Sequence, residues 1–107
     1  MSHKIVNPTN AIYMQASESY CILKLEDGKC QVKTRPMKFF INILENHGWC
    51  RIHKSFMVNP LYVSSLGESH DNLCLQNGQI LPISRRNKQK VLEWCNSENP
   101  INCLNNK

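Results

Sequence analysis

Two dipeptides, Asp27-Gly28 and Asn77-Gly78, restrict the folding of this chain more than any other feature. Each lies between short runs of strand-like residues, and Asp-Gly or Asn-Gly in that setting closes an antiparallel hairpin. A type I′ turn needs positive φ at both central positions, so each dipeptide is read as a two-residue turn. The first hairpin then pairs residues 20–26, with Cys21, Leu23 and Leu25 on the apolar side, with residues 29–34. The second pairs residues 73–76 with 79–81, and Pro82 stops the ladder or marks an edge. Residues 11–16 read as a further strand, with Ile12, Met14 and Ala16 on one face.

Helical signals are fewer. Met37, Phe40, Ile41 and Leu44 follow the i, i+3, i+4, i+7 stripe of an amphipathic helix. Pro36 suits its first turn, Thr34 or Arg35 the cap before it, and Gly48 a left-handed end, with His47 solvated beside it. Ser84 reads as the N-cap of a second helix reaching about Cys95, with Lys88, Val91, Leu92 and Cys95 at helical spacing. Arg85, Arg86, Lys88 and Lys90 crowd its first two turns, where cations oppose the helix dipole unless an anion neutralises them. Phosphate is the natural anion there. Short strands, tight hairpins and two short helices add up to a mainly β domain.

The stretch Trp49-Cys50-Arg51-Ile52-His53-Lys54-Ser55-Phe56-Met57-Val58-Asn59-Pro60 fits no simple alternation. Trp49, Ile52, Phe56 and Val58 suit a core, while Arg51, His53, Lys54 and Ser55 can hydrogen-bond anions and base edges, so the stretch reads as strand, bend and strand. Residues 61–66 continue as strand, and residues 67–71 form a polar loop with His70 exposed.

The balance of 13 Lys and Arg against 8 Asp and Glu, a net charge of +5 over 107 residues, favours a polyanionic partner. No run approaches the roughly 18 apolar residues of a membrane span, and no signal-peptide core opens the chain. The expected location is the cytoplasm. The six cysteines, Cys21, Cys30, Cys50, Cys74, Cys95 and Cys103, are then expected to stay reduced. No CxxC pair points to a metal. Cys50 and His53 are the nearest approach to a catalytic pair, but three positions along a strand place them on opposite faces. Neither a Gly-rich phosphate loop nor paired carboxylates are present, so no enzyme, metal, cofactor or small-molecule substrate is expected. An RNA-binding sheet lacks its aromatic stacking signature.

The central stretch, followed by Leu81-Pro82-Ile83-Ser84-Arg85-Arg86, resembles the LytTR DNA-binding domain. That family shows an aromatic, then R-(apolar)-H-R-S-(aromatic)-(apolar)-V-N, and later an apolar-P-(apolar)-S-R-R segment opening a final helix. The resemblance covers residues 10–95, leaving residues 1–9 as a lead-in and 96–107 as a polar tail. It implies an elongated arrangement of small antiparallel sheets with two short helices, in which loops reach successive major grooves of duplex DNA. Carried onto this sequence, base contacts fall on Tyr20, Lys54 and Arg86. Ser19, Arg51, His53, Ser84, Arg85, Asn87, Lys88 and Lys90 support them or hold phosphates. Lys54 departs from the Arg common in the family and offers no bidentate fork. Asn59 reads as a structural turn residue. The implied function is sequence-specific regulation of bacterial transcription, on repeated sites and as a homodimer on DNA. No phosphoacceptor receiver precedes the match, and with Met1 first, a free-standing regulator is expected. The alternative is a protein-interaction module of the same fold without DNA binding.

Overall fold

A strand buried on both sides must lie in the middle of a sheet. Ala11–Ser17 (β1) is such a strand, with Ala11, Ile12, Tyr13 and Met14 all buried. The structure, a computed structural model, describes residues 10–97. In it β1 is flanked by Tyr20–Leu25 (β2) and Cys30–Lys33 (β3) on one side. On the other side lie Phe56–Val58 (β5) and Cys50–His53 (β4), giving a five-stranded antiparallel sheet in the order β3-β2-β1-β5-β4. Ile12 does not share a face with Met14 and Ala16, as simple alternation predicts. The register shifts between Ala11 and Tyr13, and this irregularity turns Ile12 and Tyr13 to one side while Ala11 and Met14 face the other.

Each face has its own cover. Met37, Phe40 and Leu44 pack with Trp49 over Ala11, Met14, Cys21, Leu23 and Met57. The helix predicted there is divided into a 3₁₀ turn, Met37–Phe39, and a short α-helix, Ile41–Glu45 (α1). Pro36 precedes the first turn as its cap residue, without a side-chain cap bond. Gly48 (φ +88°) ends the segment in the left-handed conformation read from the sequence.

The opposite face is covered by a three-stranded sheet of Val63–Leu66 (β6), Asn72–Leu75 (β7) and Ile80–Pro82 (β8), together with Lys88–Asn96 (α2). Val63, Leu73, Leu75, Leu81, Val91 and Cys95 close this second core on Ile52 and Val58. Pro82 ends β8, an edge strand, as expected. Leu61 and Tyr62 are not strand: Pro60–Tyr62 is a 3₁₀ turn. Asn59 imposes it, since its Oδ1 accepts from Leu61 N at 3.0 Å while its Nδ2 donates to the Ala11 carbonyl at 2.8 Å. It is the one buried polar residue among those described, and it has the structural role read from the sequence.

Both glycine hairpins form, but not as type I′ turns. Leu25 faces Lys29 and Leu75 faces Gln79, which leaves three-residue loops in which only Gly28 (φ +90°) and Gly78 (φ +92°) are left-handed. This is a right-handed turn closed by a glycine bulge. Asp27 Oδ1 accepts from Lys29 N at 2.9 Å and Asn77 Oδ1 from Gln79 N at 2.8 Å, a side-chain bond that favours this form. The overall extents are 42 × 26 × 23 Å, the elongated shape expected. His70 is half-buried with φ 64° rather than exposed. The lead-in (1–9), most of the tail (98–107) and Cys103 lie outside the described residues; Asn96 belongs to α2.

Candidate nucleic-acid interface

β4 and β5 are joined by Lys54 and Ser55 alone, with His53 opposite Phe56. Two-residue hairpins favour turns with positive φ, yet neither Lys54 nor Ser55 has one. Side chains brace the turn instead. Arg51 Nη2 donates to the Lys54 carbonyl at 2.8 Å, and the Ser55 amide donates to His53 Nδ1 at 3.1 Å. With Nδ1 accepting, the neutral ring carries its proton on Nε2. The ring is packed against Phe56, with centroids 5.6 Å apart. Lys54 is thereby held exposed at the tip of the bend.

The second polar segment docks beside it. The Ser84 amide donates to the Ile52 carbonyl at 2.9 Å, and Arg85–Asn87 form a 3₁₀ turn leading into α2. Ser84 precedes that turn rather than α2 itself, and its hydroxyl makes no backbone cap bond; it accepts from Asn87 Nδ2 at 2.7 Å. The first turn of α2 has no acidic residue and no side-chain cap. Between the bend and this segment lies an open groove of about 510 Å³, lined by Arg51, His53, Lys54, Ser84, Arg86, Asn87 and Lys90. Four of the seven are cations and none is acidic, so the groove is an anion-attracting surface.

The remaining sequence-predicted residues lie around it. Ser19 and Tyr20 belong to the β1–β2 turn, where Ser17 faces Tyr20. A bond of 2.8 Å from Ala16 N to the Ser55 carbonyl sets that turn beside the Lys54 bend, at the same end of the sheet. Arg85 is exposed and outside the groove lining. Lys88 turns away and pairs with Asp71 at 2.7 Å. Hydrogen bonds from Lys88 and Ser69 hold the Asp71 carboxyl below its ordinary range. Two basic residues escaped the sequence reading. Lys33 pairs opposite Cys21, next to Tyr20, and Arg35 follows it with its guanidinium 4.5 Å from the centre of the Phe39 ring. Counting the register back from the Asp27-Gly28 turn would have brought both to this end of the sheet.

The thiols contribute no reactive group here. Burial pushes Cys21 up to about 11, Cys50 to about 12 and Cys95 to about 11, far from the thiolate a nucleophile or ligand requires. Cys50 is buried in the core while His53 lines the groove, the separation that strand geometry predicts. Among the described residues no three His, Cys, Asp or Glu side chains gather as a metal site, and no helix is long and apolar enough to cross a membrane.

Comparison with known proteins agrees with this geometry. The model of the LytTr DNA-binding domain family matches residues 2–96. Among solved structures, the fold is similar to a chain from Bacillus cereus described as the LytTr DNA-binding domain of a methyl-accepting/DNA response regulator. The TM-score is 0.74, with 19% identity and 86% of each chain covered. No curated protein matches. A chain matched over almost its whole length, with a braced turn and a basic segment side by side at one end of the sheet, is a member of the LytTR family of DNA-binding domains.

Proposed function

We propose that the protein binds duplex DNA sequence-specifically as a bacterial transcription regulator, with residues 10–95 as the binding unit. Tyr20, Lys54 and Arg86 enter the major groove and touch bases. Arg51 and His53 shape the central loop, and Ser19, Ser84, Arg85, Asn87 and Lys90 meet the backbone. Lys88 acts through its pair with Asp71, by steadying the start of α2. The protein works in the cytoplasm, on repeated sites occupied by two copies, and catalyses no reaction.

The observation that carries this reading is the groove itself. Residues more than 30 positions apart in sequence, from Lys54 to Arg86, converge on one acid-free surface. Arg51 also braces the bend, but the charges of all four cations repel one another, and a polyanion relieves that repulsion. Selection from a random duplex pool tests it. The expected outcome is enrichment of one repeated motif, bound with an affinity that falls linearly in log–log form with salt, by about 0.9 per phosphate contacted. Recovery of fragments with no common motif would remove the sequence-specific claim. Absence of binding to any duplex at low salt would favour the protein-interaction module.

A further inference from the structure

The groove side chains share a chemical property beyond charge: they donate. Lys54, Arg86 and Lys90 carry donors only. Arg51 uses one N–H on the Lys54 carbonyl and has others in its guanidinium. His53 is the informative member, because a neutral imidazole offers one donor and one acceptor. The Ser55 amide occupies its Nδ1, so the remaining ring nitrogen is a donor. Turning the ring over would break that bond and loosen a turn that has no positive φ to stabilise it. Among the lining side chains, only the amide oxygen of Asn87 and a lone pair of Ser84 are left as acceptors.

In the major groove, guanine presents two acceptors, N7 and O6, whereas cytosine presents a donor, adenine one of each, and thymine one acceptor, O4, beside a methyl group. We propose that this groove reads a guanine edge, and that His53 is a specificity-determining residue donating to it from Nε2. This rests on the DNA-binding reading above and deepens it by naming the base. Phosphates are acceptors too, and the four cations suit them. A neutral imidazole locked in one tautomer adds no charge to phosphate neutralisation; what it adds is a donor of fixed direction, which discriminates between base edges.

The full chain is tested on the tightest duplex recovered from the random pool, with each guanine replaced in turn by 7-deazaguanine. That analogue pairs normally and lacks the N7 acceptor. One replacement is expected to weaken binding about three- to tenfold, the value of one hydrogen bond. The partner experiment uses His53→Asn. Its side-chain oxygen can still accept from Ser55 N, as Asn77 does from Gln79 N, but no donor extends as far as Nε2. The variant, which loses the ring packed on Phe56, should stay folded with a slightly lower urea midpoint and keep the parent's salt slope while losing sensitivity at that one guanine. If no 7-deazaguanine position matters to the parent, the guanine proposal is overturned and DNA binding stands. If His53→Asn keeps the full pattern of sensitivity, the role of His53 is overturned. If no duplex is bound at all, the DNA-binding reading fails first.

Discussion

The Ser84 amide is hydrogen-bonded to the Ile52 carbonyl at 2.9 Å. This bond, with the packing of Ile83, Val91 and Cys95 on Ile52, joins the segment that opens α2 to the strand that carries the Lys54 bend, and so places Arg86 and Lys54 on the same groove. Ser84 has φ −73°, close to the value proline imposes. Ser84→Pro therefore removes the donor, together with the hydroxyl that accepts from Asn87 Nδ2, while suiting the local backbone. A loss of about 1–3 kcal/mol in stability is expected from the stranded carbonyl, with a larger loss of DNA affinity because the two loops no longer share a frame. Urea unfolding and a binding titration on the same preparation check it; parent-like affinity would show that the bond does not set the groove.

Arg86 and Lys90 line the same groove but are assigned different work. Arg86→Ala should cost about 1–3 kcal/mol on the selected sequence and relax preference at one base position. Lys90→Ala should weaken selected and random duplex alike and lower the salt slope by roughly one. An unchanged affinity for the selected sequence in Arg86→Ala would remove the assignment of the third loop.

Asn59 is 2% exposed and holds Ala11 O and Leu61 N through its two side-chain polar atoms. Asn59→Ala strands both, at an expected cost of about 1–3 kcal/mol per buried group left unpaired. The groove lies elsewhere, so DNA affinity of the folded protein should hold. A denaturation midpoint equal to the parent's would contradict the role given to Asn59.

Thiol chemistry should divide by burial. Cys21, Cys50 and Cys95, pushed up to about 11, 12 and 11, carry almost no thiolate at pH 8. Cys30 is exposed. Brief alkylation followed by peptide mass analysis should modify Cys30 and spare the other three until denaturant is added. Raising the pH toward the raised values increases the thiolate of the buried three, yet their access to reagent still waits on unfolding. Equal labelling of Cys50 and Cys30 in buffer would show that the second core opens readily.

The two ends of the five-stranded sheet solve the turn problem differently. The turn after β2 uses Gly28 to reach positive φ without steric cost. The turns at residues 18–19 and 54–55 have no glycine and no positive φ. The central one is braced by Arg51 and His53 instead.

Much of this was legible in residue order. Hairpins, the 49–60 bend, the cap at Gly48 and the core stripe of Met37, Phe40 and Leu44 depend on neighbours within a few positions, and such preferences are written locally. The polar members of the bend stood out because they disrupt a strand pattern. What failed had one local cause and two distant ones. The predicted type I′ turns gave way to glycine bulges because Asp27 and Asn77 capture a backbone amide two residues on. Ile12 left its expected face because β1 is paired on both sides and carries a register shift. Residues 61–62 left the strand because Asn59 binds Ala11, 48 positions away.

By itself the sequence determined the parts: which segments pair, which side chains are core, and which polar groups are left for a partner. Only the tertiary structure decided that Arg51 and His53 brace the bend, that Lys88 belongs to Asp71, and that Lys33 and Arg35 share the end of the sheet with Tyr20. Each of those outcomes turns on where a side chain's polar atoms point once the chain has folded: across the bend for Arg51 and His53, between distant segments for Lys88 and Lys33. A donor's partner is set by geometry over a few ångströms, and that geometry exists only after the two cores have closed.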